Sequence, residues 1–236
     1  MTDEATFRER WFRYGTEKRI GQQWMQLELL RLLEAQRVLE VGPAFGLVTA
    51  LLDNAGYDVT TLDLVAAPFA RPQLPHLTMD LLRLDPAALR GFDAILCCET
   101  LEHLPWEAAP AVLRGFAASG ARHLILSVPY EGLQLAIQLY LNPFTARLGA
   151  QLKKLRFLKA FRPGPDPLGH KWEIGYRGRS VAAWESAIAG SGWRIRERRF
   201  TTPCRSIFHV CDNVSGAAAA PRALPPATDR DRFPGA

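Results

Sequence analysis

The tightest constraint on this chain is its rhythm. Apolar runs at 37–41, 58–63, 74–79, 92–98, 123–128, 193–200 and 207–211 read as strands. Between them, 46–54, 107–118 and 180–189 read as helices, and Val181, Trp184 and Ile188 give the last one a single apolar stripe. Gly56, Gly91, Gly120 and Gly192 each stand shortly before a strand. Alternation of this kind predicts a mostly parallel sheet with helices on both faces. Only "TTPCRS" separates the last two strands. That is too short for a helical crossover, so this pair should be antiparallel.

Two segments flank or interrupt the rhythm. Residues 1–36 read as an N-terminal helical cap, with Ile20, Trp24, Leu27, Leu30 and Leu33 at helical spacing. An insertion of about 131–178 follows the fifth strand, inside a domain spanning 37–214. The insertion carries Arg147, Lys153, Lys154, Arg156, Lys159 and Arg162 with no acid among them, and Leu148, Leu152, Leu155 and Leu158 recur at steps of four and three. This predicts an amphipathic basic helix at 147–162, suited to a membrane surface, to an anionic substrate, or to capping the substrate with a solvated basic face. Residues 215–236 are rich in Ala, Pro and charge without apolar periodicity, which predicts a disordered tail.

The net charge of +5 is smaller than the charge of that one segment, so the rest of the chain is slightly acidic. No general nucleic-acid surface is expected. "MTDEATFRERWFRYG" lacks a signal peptide's apolar core, and the expected location is cytoplasmic. Cys97, Cys98, Cys204 and Cys211 lack zinc-ligand spacing and read as reduced thiols, so no metal site is expected from them.

The stretch "RVLEVGPAFG" runs from a strand into a loop opened by Gly42 and closed by Gly46. A dinucleotide loop has the form G-x-G-x-x-G and aims N–H groups at phosphate. Here Ala44 replaces the middle glycine, Pro43 removes a donor, and Glu40 would repel phosphate. A cationic ligand without phosphate fits better, and S-adenosylmethionine is one. Glu40 would attract its ammonium, while loop amides and the helix N-terminus meet its carboxylate. Asp63, ending the second strand, can accept from both ribose hydroxyls. Asp80 can accept from the adenine amino group, with Met79 and Leu81 against the ring; it also reads as a helix cap. Glu99, Thr100 and His103 fall at the carboxyl edge of the sheet, where open α/β folds bind ligands.

Together, "VLEVGPAFG", "TLDL", "FDAILCCETLEHLP" and "LILSVPYEG" resemble the class I S-adenosylmethionine-dependent methyltransferases. The likeness is greatest to the broad small-molecule group that includes ubiquinone-biosynthesis O-methyltransferases. It covers 37–128 well and 180–211 in outline. The resemblance implies a Rossmann-like fold: a seven-stranded, mostly parallel sheet with an antiparallel last strand. It implies cofactor contacts at Glu40, Gly42, Gly46, Asp63, Asp80 and Glu99, with Leu64, Met79 and Leu81 beside them. Pro43-Ala44 departs from the more usual small-Gly pair.

The acceptor side is less patterned. His103 reads either as a loop-holding residue or as a base for an acceptor hydroxyl. In "PLGHKWEIGYRG", His170 is a second catalytic candidate, and Trp172 and Tyr176 are candidates to meet substrate, as is Tyr130 after the fifth strand. Trp172 could equally plug the core. The expected function is methyl transfer to a small-molecule acceptor, first of all at oxygen. The alternatives are a lipid-linked or phosphorylated acceptor at a membrane, and a non-catalytic cofactor-binding module. A nicotinamide-dependent dehydrogenase is disfavoured by Glu40 and the missing glycine. Oligomeric state is not legible.

Overall fold

The computed structural model describes residues 4–65, 74–153, 156–166, 168–202 and 204–216. Helices α1 (Glu4–Tyr14) and α2 (Glu17–Leu30) lead into β1 (Arg37–Val41). There follow α3 (Leu47–Asn54), β2 (Asp58–Asp63), β3 (His76–Thr78), β4 (Ala94–Cys98), α4 (Ala109–Ala118) and β5 (His123–Pro129). After β6 (Gln134–Asn142) and β7 (Thr145–Lys153) come α5 (Val181–Ala189), β8 (Trp193–Phe200) and β9 (Ser206–Asn213).

Seven strands form one sheet in the order β3-β2-β1-β4-β5-β9-β8. The pairs from β3 to β5 are parallel; β9 pairs antiparallel with both β5 and β8. The expected Rossmann-like architecture and its antiparallel last strand are thus present. The order reverses between β1 and β4, and the crevice at their carboxyl ends is where such sheets hold ligands.

The central strands are buried on both faces, which their near-continuous apolar runs require. On one face Leu39, Ile95, Leu124, Phe116 and Trp184 form a core with α4 and α5. On the other Val38, Leu96, Ile125, Leu30 and Leu52 form a second core with α2 and α3.

The N-terminal stripe is only partly as expected. Leu27, Leu30 and Leu33 are buried, but Ile20 and Trp24 are half exposed, and Gln22, Gln23 and Gln26 are buried instead. The polar face of α2 turns inward because it covers the site described below.

The insertion corrects the expected basic helix. Residues 134–153 form a two-stranded antiparallel hairpin, β6–β7, separate from the main sheet. Asn142 Oδ1 accepts from Phe144 N–H at 2.8 Å and Thr145 N–H at 3.0 Å, closing the turn. Leu135, Ile137, Leu139 and Leu141 alternate along β6 at period two, and their register places them on one face with Ala146, Leu148 and Ala150. Lys154, Leu155 and the tail from 217 onward lie outside the described residues. Among the described residues no helix is long and apolar enough to cross a membrane.

Candidate active site

The glycine loop is built by a close approach. Gly42 follows β1 with φ +71°, and a Cβ there would lie 2.5 Å from Thr100 Oγ1. Thr100 Oγ1 in turn donates to Val41 O at 3.2 Å. The constraint on Gly42 is thus the neighbouring β4 loop. Gly46 also has φ +71°; as N-cap of α3 its carbonyl accepts from Ala50 N–H at 3.0 Å, while its own N–H donates to Pro43 O at 2.8 Å. It shapes the turn and lines none of the cavities described here. Ala44, in place of the middle glycine, takes φ +48°, a conformation disfavoured for a residue with a Cβ.

Glu40 is buried, and its Oε2 accepts from Thr49 Oγ1 at 2.6 Å. Desolvation raises its pKa to about 7, against the hydrogen bonding of Thr49. With Gly42, Pro43, Ala44, Glu99, Gln22 and Gln26 it lines a small space under α2. A bound cation there would draw Glu40 into its charged form.

A cleft of about 320 Å³ opens along the strand ends beside this loop. Gly42, Asp63, Leu64, Met79, Asp80, Leu81 and Glu99 all line it. Asp63 Oδ1 accepts from Leu64 N–H at 2.6 Å, and Met79 N–H donates to Asp63 O at 2.8 Å, which ties β3 to β2 at the cleft wall. Asp80 is the cap of a short 3-10 turn, accepting from Leu82 N–H at 2.9 Å. The cap reading of Asp80 holds, and its carboxylate still borders the cleft.

A second cavity of about 660 Å³ lies next to the first. It is bounded by Tyr14, Lys18, Arg19 and Gln22 from the N-terminal helices, by Glu131 after β5, and by Asp166, His170 and Glu173 from the insertion. Ala44, Glu99, His103 and Leu168 belong to both cavities, so the two meet there.

Glu99 has φ +52°, an uncommon backbone conformation at the end of β4. Its Oε1 accepts from Ser127 Oγ at 2.9 Å, and burial raises its pKa. His103 is exposed to the cavities, with Nδ1 2.5 Å from Leu168 O. A carbonyl can only accept, so Nδ1 carries the proton and Nε2 keeps its lone pair in the neutral ring. His170 Nδ1 sits 2.9 Å from Glu173 Oε1, and its Nε2 lies 3.8 Å from Glu102 Oε1.

The residues expected to meet substrate are placed differently. Trp172 is buried in the core, stacked edge-on against Trp106, with Nε1 donating to Leu104 O at 2.9 Å. It is the core plug of the two readings. Tyr130 and Tyr176 line a separate cavity of about 220 Å³ at the base of the hairpin, not the 660 Å³ one. Glu102, absent from the sequence expectations, is wholly buried next to His170. The signal that it is special is its partner 68 residues away, which sequence spacing does not carry.

Residues 39–119 match the sequence family described as a methyltransferase domain. No curated protein matches by sequence. Among solved structures, 1,6-didemethyltoxoflavin-N1-methyltransferase of Burkholderia thailandensis superposes with TM-score 0.52 at 16% identity, covering 80% of this chain and 76% of that one. Magnesium protoporphyrin IX methyltransferase of Synechocystis PCC 6803, with bound cofactor, gives 0.53 at 19% identity over 88% and 91%. An S-adenosylmethionine-dependent methyltransferase of Clostridium acetobutylicum ATCC 824 gives 0.55 at 9% over 89% and 97%. At these identities the superpositions speak for the fold, and the sequence-family match speaks for the domain. Residues 39–119 thus carry a methyltransferase domain by sequence, and the described chain has the fold of S-adenosylmethionine-dependent methyltransferases, with the glycine loop, the strand-end acids and the cleft between them.

Proposed function

We propose that the chain transfers a methyl group from S-adenosylmethionine to a hydroxyl of a small-molecule acceptor held in the 660 Å³ cavity. The observation that carries this reading is the junction: His103 and Glu99 border both cavities. The adenosine would lie in the narrower cleft, its ribose on Asp63 and its adenine between Leu64, Met79 and Leu81, with Asp80 at the amino group. Glu40 and the loop at Gly42 would hold the methionine end. When bound, the cofactor supplies an electrophilic methyl carbon, and the protein's task is to align an acceptor atom with it. Oxygen is favoured because His103 keeps an Nε2 lone pair at the junction, where a hydroxyl must lose its proton. The core at 37–214 would carry the cofactor, while 1–36 and the insertion would shape the acceptor side.

The test is release of S-adenosylhomocysteine in the presence of phenols, sugars and amines. A hydroxylated acceptor is expected to turn over, and His103→Ala is expected to lower that rate by about 10²–10⁴-fold. Turnover of amines alone would reject the oxygen assignment.

A second observation favours an acceptor met at a membrane. Leu135, Ile137, Leu139, Leu141 and Leu148 are each at least 67% exposed on the apolar hairpin face, and Phe144 at its tip is 95% exposed. Residues 132–165 contain no Asp or Glu but six basic residues. A second copy of the chain would bring like charges together there, whereas an anionic bilayer accepts both the aliphatic face and the charge. Pelleting with anionic vesicles is expected, weakened by high salt and by Leu139→Ser with Leu141→Ser. Equal pelleting with neutral vesicles, or none with anionic ones, would overturn it.

A further inference from the structure

We propose that Glu102, His103 and His170 form a binding site for a divalent transition-metal ion where the cofactor cleft meets the acceptor cavity. One ligand atom from each residue lies within 4.8 Å of the others, and the two imidazole rings are 5.0 Å apart, edge to face. The proposal rests on the methyl-transfer reading above for its chemistry but not for its geometry.

Three groups able to ligate a cation converge here. His103 Nδ1 is committed to Leu168 O, and His170 Nδ1 to Glu173 Oε1. Each neutral ring therefore presents a bare Nε2. An imidazole whose far nitrogen donates to a carbonyl or carboxylate is oriented as metal-binding histidines are. Glu102 is 0% exposed, and neither of its oxygens has a hydrogen-bond partner among the described residues. A buried carboxylate without a partner is costly. A cation held by Glu102 and one nitrogen of each imidazole would pair the buried carboxylate.

The site is also braced. Lys171 N–H donates to Glu102 O at 2.7 Å and Trp172 Nε1 to Leu104 O at 2.9 Å. These bonds fix the segment bearing His170 over the turn bearing Glu102 and His103. The alternative is a plain ion pair between a charged His170 and Glu102. At 3.8 Å that pair makes no hydrogen bond, and it leaves Glu102 Oε2 without a partner among the described residues.

Two imidazoles and one carboxylate, without thiolate, suit Mn²⁺, Co²⁺ or Zn²⁺ better than Ca²⁺. His103 and His170 both border the 660 Å³ cavity, so open coordination positions would face the acceptor. A hydroxyl bound to the ion loses its proton to water more readily. The resulting oxygen anion forms the new C–O bond, and the breaking C–S bond leaves its electron pair on sulfur. In this role His103 is a ligand, and the ion does the work otherwise given to a base.

The experiment is titration of chelator-treated full-length protein with Mn²⁺, followed by the loss of the free-ion paramagnetic resonance signal. S-adenosylhomocysteine calorimetry on the same samples reports folding. One Mn²⁺ per chain is expected, displaced by Zn²⁺ and weakened at least about tenfold by Glu102→Gln and by His170→Ala. The half-exposed His170 ring makes its variant safe for the fold should Glu102→Gln fail to fold. Absence of binding by wild type that still takes up S-adenosylhomocysteine would overturn the site, as would unchanged affinity in a folded His170→Ala. Methyl transfer to a hydroxyl that persists in chelator rejects the metal and keeps the reaction. Metal binding without any oxygen acceptor keeps the site and rejects the reaction.

Discussion

The two cavities that meet at Glu99 and His103 are built on different principles. The cleft proposed for the cofactor is made from the ends of β1, β2 and β4 and the short turns that follow them. Its walls are fixed by the sheet: Asp63 is tied to Met79, and Gly42 is pressed against Thr100. The cavity proposed for the acceptor is made from α1, α2, the segment after β5 and the insertion, elements brought together from 14 to 205 in the chain. The contrast teaches where specificity can vary. Changes on the acceptor side leave the sheet intact, whereas changes at the strand ends disturb the fold and the cofactor together.

The sharpest way to break the comparison is Gly42→Val. A side chain at φ +71° that collides with Thr100 is strained in both backbone and packing. Cofactor affinity is expected to fall more than about 100-fold, with a lower melting temperature. Calorimetry and a thermal melt on one sample check both, and near-normal values would mean the loop is not held by the β4 turn.

Next in size is the pH response of Glu40. Its folded pKa of about 7 lies above the ordinary 4.5 because burial penalises the charge. The stability cost is therefore absent below about pH 4.5, grows through the window, and is complete above about 7. Its full size is about 3 kcal/mol by linkage. Denaturant melts of the ligand-free protein between pH 5 and 8 should show the decline, and Glu40→Gln should flatten it. A wild-type profile no steeper than that of Glu40→Gln would contradict the burial of an ionisable Glu40.

Asp63→Ala should weaken S-adenosylmethionine binding by about 1.5–3 kcal/mol, the loss of hydrogen bonds to a charged acceptor. Unchanged affinity would remove the ribose from Asp63. The smallest effect is expected on the other side: Ile137→Ser, on an exposed hairpin face, should change melting and cofactor affinity by less than about 0.5 kcal/mol. A larger loss would show that the hairpin supports the cleft.

The same division separates what the sequence revealed from what it hid. β1 and its loop, and β2 ending at Asp63, are local patterns in which period, glycine and charge agree. The cleft is legible for that reason. The hairpin was not. Steps of four in Leu148 and Leu152 fit a strand as well as a helix, and the alanines at 146 and 150 that complete the strand face carry little hydrophobic signal. Trp172 was ambiguous because burial of a loop aromatic depends on its packing partners, and one of them, Trp106, is far away in sequence. Glu102 was invisible because its meaning depends on His170.

The most direct measurement is a crystal structure of the protein with S-adenosylhomocysteine. The account expects the ribose on Asp63, the adenine beside Met79 and Leu81, and the sulfur turned toward Glu99 and His103 at the mouth of the larger cavity. Adenosine in the larger cavity, or a sulfur facing away from that junction, would contradict it.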